Sequence, residues 1–361
     1  MRLHLFLLGA FALAGCQVSI NEDEKNASGG NVAAAAQPES KVAPPGFQDV
    51  PQTGVIFDAG PILQAQVALD RVGFSSGVID GKEGHNFQTA LRGFQQQQGL
   101  PVTGTLDELT RSRLDTLLNG PATRFVRIPA RFAAGPFAPN LPKDPGEQAK
   151  LSSLSYRNLE EALAERFHTT PEALAALNPP QTRLGAGQAV RVPNIQESPP
   201  LDPAKDERGW GETLESLGVA ASQPAAERVV VDKSDGVLQA FDAGGKLIAQ
   251  FPATMGSEHD PLPIGTWKIQ GVSRNPDFHY NPDLFWDADP DNKAAVLKPG
   301  PNGPVGVVWI DISKPHYGIH GTSEPSTIGR AESHGCIRLT NWDAARLAQM
   351  VKPDLAAVFR E

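Results

Sequence analysis

The stretch His320-Gly321-Thr322-Ser323-Glu324-Pro325-Ser326-Thr327-Ile328-Gly329-Arg330-Ala331-Glu332-Ser333-His334-Gly335-Cys336-Ile337-Arg338 places two histidines and one cysteine in a single short segment. A thiolate, not a thiol, is the nucleophile, so a catalytic cysteine needs a base or a positive charge beside it. His320 or His334 can supply that base. Gly335 lets main chain approach a substrate closely and helps form an N–H cradle for a developing oxyanion. A lone cysteine is commonly a small core residue; the company of two histidines and the preceding glycine favours catalysis here. Ser333 is read as orienting the loop rather than reacting. Strand-like sequence surrounds the segment, so the nucleophile is expected near the start of a strand in a mostly-β domain.

The string resembles the signature of the L,D-transpeptidases, the YkuD-type family of bacterial cell-wall enzymes: a His, a spacer, then Ser/Thr-His-Gly-Cys. His334 stands 14 positions after His320, and Ser333-His334-Gly335-Cys336 is intact. Arg338 departs from the Asn of many members and matches the Ile-Arg-Leu of others. The resemblance implies Cys336 as the nucleophile and His320 as general base and acid. It also implies that the Gly321 carbonyl orients the imidazole, and that His334, Gly335 and the Cys336 N–H form the oxyanion site. The implied substrate is a peptidoglycan tetrapeptide stem, cut before its terminal D-alanine through a thioester. The acceptor would be another stem's amine, giving a 3-3 crosslink, or a lysine of a wall-anchored lipoprotein. Water as acceptor would make an L,D-carboxypeptidase or wall hydrolase. A non-catalytic, lipid-anchored wall-binding protein is the reading from another class. Arg338, two residues past Cys336, shares its face in a strand and suits bidentate binding of a substrate carboxylate. Arg330 is the second substrate-binding candidate. No metal is expected, since a Cys-His-His site would consume the nucleophile, and no cofactor is implied.

The chain has two cysteines, Cys16 and Cys336. An apolar run from Leu5 to Ala14 follows Met1-Arg2 and ends in Leu13-Ala14-Gly15-Cys16. It is too short to span a membrane, which takes about 20 apolar residues. It resembles a lipoprotein signal peptide (1–15) with Cys16 as the lipidated residue. The mature protein is then expected in the periplasm on a membrane anchor, the outer membrane favoured by Gln17. With Cys16 lipidated, Cys336 has no disulfide partner, and a lone thiol in an oxidising compartment is buried or reactive.

At 361 residues with 35 Gly and 32 Pro, the chain has room for several domains joined by linkers. A net charge of −9 argues against a nucleic-acid partner. Residues 16–57 read as a tether with too few large apolar side chains for a core. Between 58 and 120, Ile62, Leu63, Val67 and Leu69, then Phe87, Ala90, Leu91 and Phe94, form two helical stripes. A third short helix follows Leu106-Asp107. With Gly77-Val78-Ile79-Asp80-Gly81 and Gly99-Leu100-Pro101-Val102-Thr103-Gly104, this order resembles a small all-α, three-helix peptidoglycan-binding domain. Residues 121–150 read as an irregular linker. Residues 151–196, two short helices and a strand, resemble a degenerate α+β LysM glycan-binding module. Residues 197–225 read as a second linker. From 226 to 361 the pattern is the mostly-β, YkuD-type catalytic domain: Val229-Val230-Val231 and Val237 to Phe241 flank a hairpin turn. A helix capped by Asn341 runs through Asp343, Ala344, Leu347 and Met350.

Overall fold

The apolar spacing of the N-terminal half produces the helices it predicts. In the computed structural model, which describes residues 46–51, 58–195, 206–286 and 288–361, α1 (Gly60–Arg71), α2 (His85–Gln98) and α3 (Glu108–Leu118) bury Leu63, Val67, Leu69, Phe87, Leu91, Phe94 and Leu114. Asp107 caps α3 by accepting from the Thr110 N–H. The signal peptide, Cys16, most of the tether and residues 197–205 lie outside the described residues.

Three stretches expected to be connectors carry structure instead. Gln48–Val50 of the tether is β1, and Thr123–Arg127 of the 121–150 linker is β2. Both join β3 (Ala189–Pro193) in an antiparallel sheet of order β1-β2-β3. The linker also holds α4 (Ala130–Ala134) and α5 (Pro145–Gln148). The second linker holds α8 (Trp210–Leu217), whose Trp210, Leu214 and Leu217 are buried. Val126 and Ile128 alternate into a core, a strand signal hidden by the Pro and Gly on either side. Between β2 and β3 run α6 (Leu159–Arg166) and α7 (Pro171–Ala176). This is a β-α-α-β order whose opening strand lies upstream of the expected module.

The two small N-terminal units are not separate bodies. One hydrophobic core joins Leu69, Phe74 and Phe94 of the helical unit to Leu163, Phe167, Val190 and Val192 of the next. Units this small bury too little apolar surface alone, and sharing a core removes that deficit.

The C-terminal half is built on a nine-stranded sheet. Its strands are β4 (Arg228–Asp232), β5 (Val237–Phe241), β6 (Leu247–Pro252), β7 (Thr254–Met255), β8 (Gly265–Arg274), β11 (Val308–Ile312), β12 (Gly318–His320), β13 (Ile337–Arg338) and β14 (Ala356–Arg360). Their order is β6-β5-β4-β14-β8-β11-β12-β13-β7. β9 (Phe278–Tyr280) and β10 (Ala295–Leu297) form a separate hairpin. β4 and β5 are the hairpin that the sequence predicts. The first half of β8 pairs with β14 and the second half with β11, so one long strand joins both parts of the sheet. Helix α9 (Asn341–Met350) packs its Trp342, Ala344, Leu347 and Ala348 into the main core. Its cap is Thr340, one residue before the expected Asn341; the Thr340 hydroxyl accepts from the Asp343 N–H.

The halves meet over a buried polar joint. Arg346 of α9 grips Asp70 of α1 with two hydrogen bonds of 3.0 and 2.9 Å. His168 Nδ1 lies 2.9 Å from the same carboxylate, and its Nε2 lies 2.8 Å from the Leu217 carbonyl. The ring stacks on Trp342 at 5.1 Å. Ser75 donates to Asp343 at 2.7 Å. With Arg346 and His168 against it, the Asp70 carboxyl is held well below the usual carboxylate range, although burial alone would raise it.

Candidate active site

Strand register assembles the site. β12 runs parallel to β13, pairing Ile319 with Ile337 and His320 with Arg338. Cys336 stands just before β13, two residues ahead of Arg338, and so on the same face. Antiparallel pairing of β11 with β12 sets Trp309 opposite His320, and the indole stacks on the imidazole at 5.6 Å. His320 is buried. Its Nδ1 lies 2.7 Å from the Gly321 carbonyl. A carbonyl only accepts, so Nδ1 carries the proton and Nε2 is left as the basic nitrogen.

Two glycines are required by close approach. At Gly335, φ is +90°, and a Cβ there would sit 2.5 Å from the Tyr317 ring. At Gly321, a Cβ would sit 2.2 Å from Asn341 Oδ1. Asn341 is the residue that sequence reasoning missed, having assigned it only a capping role. It is fully buried. Its Oδ1 accepts from the Val307 N–H at 3.3 Å. Its Nδ2 donates to the Pro301 carbonyl and to Glu165 of α6, both at 3.1 Å. Asn341 therefore presses on the residue whose carbonyl holds His320. An Asn at the first turn of a predicted helix was the only signal available.

Ser333 ties the loop instead of facing substrate. Its hydroxyl donates to the Cys336 carbonyl at 2.6 Å and accepts from the Gly256 N–H at 2.7 Å. The Cys336 thiol is buried, with Sγ 3.9 Å from the His316 carbonyl. His334 is half-buried and packs edge-on against Phe285 at 5.4 Å and near Trp286 at 6.0 Å. This brings the Phe285-Trp286 pair to the site.

Cys336, His320, His334 and Arg338 all line one cavity of about 220 Å³. Tyr280, Phe285, Leu297 and Val305 supply apolar wall. Lys143, Pro145 and Gln148 of the expected linker close another side. Among the described residues, no carboxylate lines it. The Arg338 Nε is buried without a hydrogen-bond partner among the described residues. Arg330 does not join this group. The loop before Ser333 leans onto α2, with Asn86 Nδ2 donating to the Ile328 carbonyl at 2.9 Å. Arg330 is exposed there beside Gly84, in a separate small depression with Asp80 and Glu83. Among the described residues, no group of three or more His, Cys, Asp and Glu side chains converges as a metal site.

A thiol, an oriented imidazole and cationic side chains on the wall are a set of groups suited to acyl transfer. Two family models match this chain: "L,D-transpeptidase catalytic domain" over residues 226–358 and "Putative peptidoglycan binding domain" over residues 59–114. The chain is 30% identical over 193 residues to "Putative L,D-transpeptidase YkuD" of Bacillus licheniformis, spanning 53% of this chain and 87% of that protein. It is 55% identical over 51 residues to the protein of the same name in Bacillus subtilis, spanning 14% of this chain and 31% of that one. A solved structure described as "L,D-transpeptidase from Mycobacterium smegmatis" is similar at 20% identity and a TM-score of 0.31. That match covers 38% of this chain and 59% of the other, less than two thirds of its length.

Proposed function

The chain belongs to the L,D-transpeptidase family, and from that premise we propose that it transfers peptidoglycan stem peptides through a thioester on Cys336. The observation that carries this reading is the shared cavity of Cys336 and His320, with the imidazole held by the Gly321 carbonyl. The Cys336 proton passes to His320 Nε2, and the thiolate attacks the carbonyl before the terminal D-alanine. The oxyanion that forms is met by the Cys336 N–H in the bend made by His334 and Gly335. Collapse expels the D-alanine amine, which takes the proton from His320 and leaves the acyl group on sulfur. An incoming stem amine then gives its proton to His320, attacks the thioester and releases the thiol, forming a 3-3 crosslink. A lysine of a wall-anchored lipoprotein is the other amine of suitable chemistry.

Arg338 binds a stem carboxylate in this scheme, and its unpartnered Nε supports that role. The helical unit holds the enzyme on the wall, supported by the family match over residues 59–114. Cys16, acylated after signal cleavage, tethers it to the membrane from the periplasmic side.

The test is mass spectrometry of muropeptides after incubation with the soluble enzyme. We expect D-alanine release and new 3-3 crosslinked dimers. Cys336→Ala should abolish both while keeping the fold. Cys336→Ser should be nearly inactive, because a hydroxyl is far less ionised than a thiol. Trimmed monomers with no dimers would instead identify a carboxypeptidase.

A further inference from the structure

The cavity around Cys336 has a wall from outside the domain that carries the nucleophile. Leu141, Ala149 and Leu151 pack against the apolar cluster that contains Cys336 and Trp309. Between them, Lys143, Pro145 and Gln148 face the cavity. This strap is internally braced. Asp144 caps α5 by accepting from the Glu147 N–H at 2.8 Å, and Gln148 Nε2 donates to the Pro142 carbonyl at 2.8 Å. Three residues past Leu151, the chain is pinned to the catalytic half. The Leu154 N–H donates to the Pro299 carbonyl and the Asn302 N–H to the Leu154 carbonyl, each at 3.0 Å.

The charges on the strap are committed, with one exception. Glu147 pairs with Lys150, and Asp144 is used as a cap. Lys143 makes no ion pair or hydrogen bond among the described residues, and it is exposed at the cavity edge. Within a chain of net charge −9, the cavity thus presents Lys143 on one wall, Arg338 on another and, among the described residues, no carboxylate. Such a local field selects an anionic group.

We propose that Lys143, delivered by the 141–151 strap, is a specificity-determining residue that binds a carboxylate of the peptide entering the Cys336 cavity. The proposal rests on the anionic-peptide reading above, but its first test does not need that substrate. Cys336 of the full-length protein is alkylated with iodoacetate, an anion, and with iodoacetamide, its neutral counterpart, and each rate is read by peptide mapping. Lys143→Met should lower the iodoacetate-to-iodoacetamide rate ratio about fivefold, the scale of one charge contact near water. The iodoacetamide rate should stay unchanged, Lys143→Arg should restore the ratio, and high salt should close the gap. With stem tetrapeptides, Lys143→Met should raise KM for the free-acid peptide and leave kcat and the amidated peptide unaffected. An unchanged ratio, or equal slowing by both reagents, would overturn the proposal. A changed ratio in an enzyme that turns over no peptide would overturn the function proposed above and leave this assignment standing.

Discussion

Two buried histidines in this molecule have nearly the same surroundings and opposite employments. His320 rests one nitrogen on a backbone carbonyl and its ring face on Trp309. His168 does likewise with the Leu217 carbonyl and Trp342. The difference lies in the remaining nitrogen. For His168 it meets Asp70, which Arg346 already grips. For His320 it has no hydrogen-bond partner among the described residues and shares a cavity with Cys336. Burial and orientation are therefore common to a structural and a reactive imidazole. A ring nitrogen without a partner among the described residues, in a cavity shared with a thiol, separates them.

The largest effect expected from pressing on this contrast is structural. Asp70→Ala leaves the buried Arg346 guanidinium with Asp343 as its remaining carboxylate partner among the described residues. It should cost about 3–5 kcal/mol of stability, the range for a broken buried ion pair. Denaturant unfolding would measure the loss, and a loss under 1 kcal/mol would mean that water rescues the joint. Next comes the exchange of histidines. His320→Ala should slow acylation by about 100-fold, or about 2.7 kcal/mol, and cost less stability than His168→Ala, since only one of its ring nitrogens is bonded among the described residues. It should also erase the pH limb set by thiol activation. His168→Ala should do the reverse: about 1–3 kcal/mol of stability lost to unpaired buried groups and a near-normal rate in the folded fraction. Persistence of the pH limb in His320→Ala would move the base to His334.

The smallest effect concerns Glu165, which links the two regions. It lies at the end of α6, three residues before His168, and bonds Asn341 behind His320. Burial pushes its carboxyl from an ordinary 4.5 up to about 8, partly countered by the Asn341 hydrogen bond and reinforced by Glu161. Tyr156 also donates to it, at 3.2 Å. The folded protein thus keeps a proton that the unfolded chain sheds, and stability falls as pH rises from about 4.5 to about 8. Between pH 7 and 8 the wild type should lose about 1 kcal/mol. Glu165→Gln should abolish that slope in a thermal-melt series. An identical slope in the variant would show that the group titrates normally.

What was legible in the sequence follows from how far apart the partners are. Cys336, Gly335, Ser333 and His320 fall in one segment, so their chemistry is written contiguously. The stripes of α1 and α2 and the β4–β5 hairpin are local periodicities as well. His168 and Asp70 are 98 positions apart, and Arg346 and Asp70 are 276 apart; no local pattern announces such pairs. Asn341 looked like a cap because its work is on Gly321, across a turn that only tertiary folding closes. Arg330 shows the converse error. It lies in the same segment as the nucleophile, yet a loop anchored by Asn86 turns it away. The 141–151 strap read as a linker because Pro142, Pro145 and Gly146 obscure the apolar contacts of Leu141 and Leu151.

The position of β14 carries a consequence for the order in which the protein is made. This strand lies between β4 and β8, and its Ala356 pairs with Arg228, 128 residues earlier. During vectorial synthesis, β4, β5 and β6 emerge first and must wait with an open edge. Pairings of such sequence separation close slowly, and an unpaired edge invites association with other chains. The catalytic sheet is therefore completed late, after the Cys336 loop itself has appeared. A chain halted before residue 356 would hold every reactive side chain named here on a sheet split in two between β4 and β8.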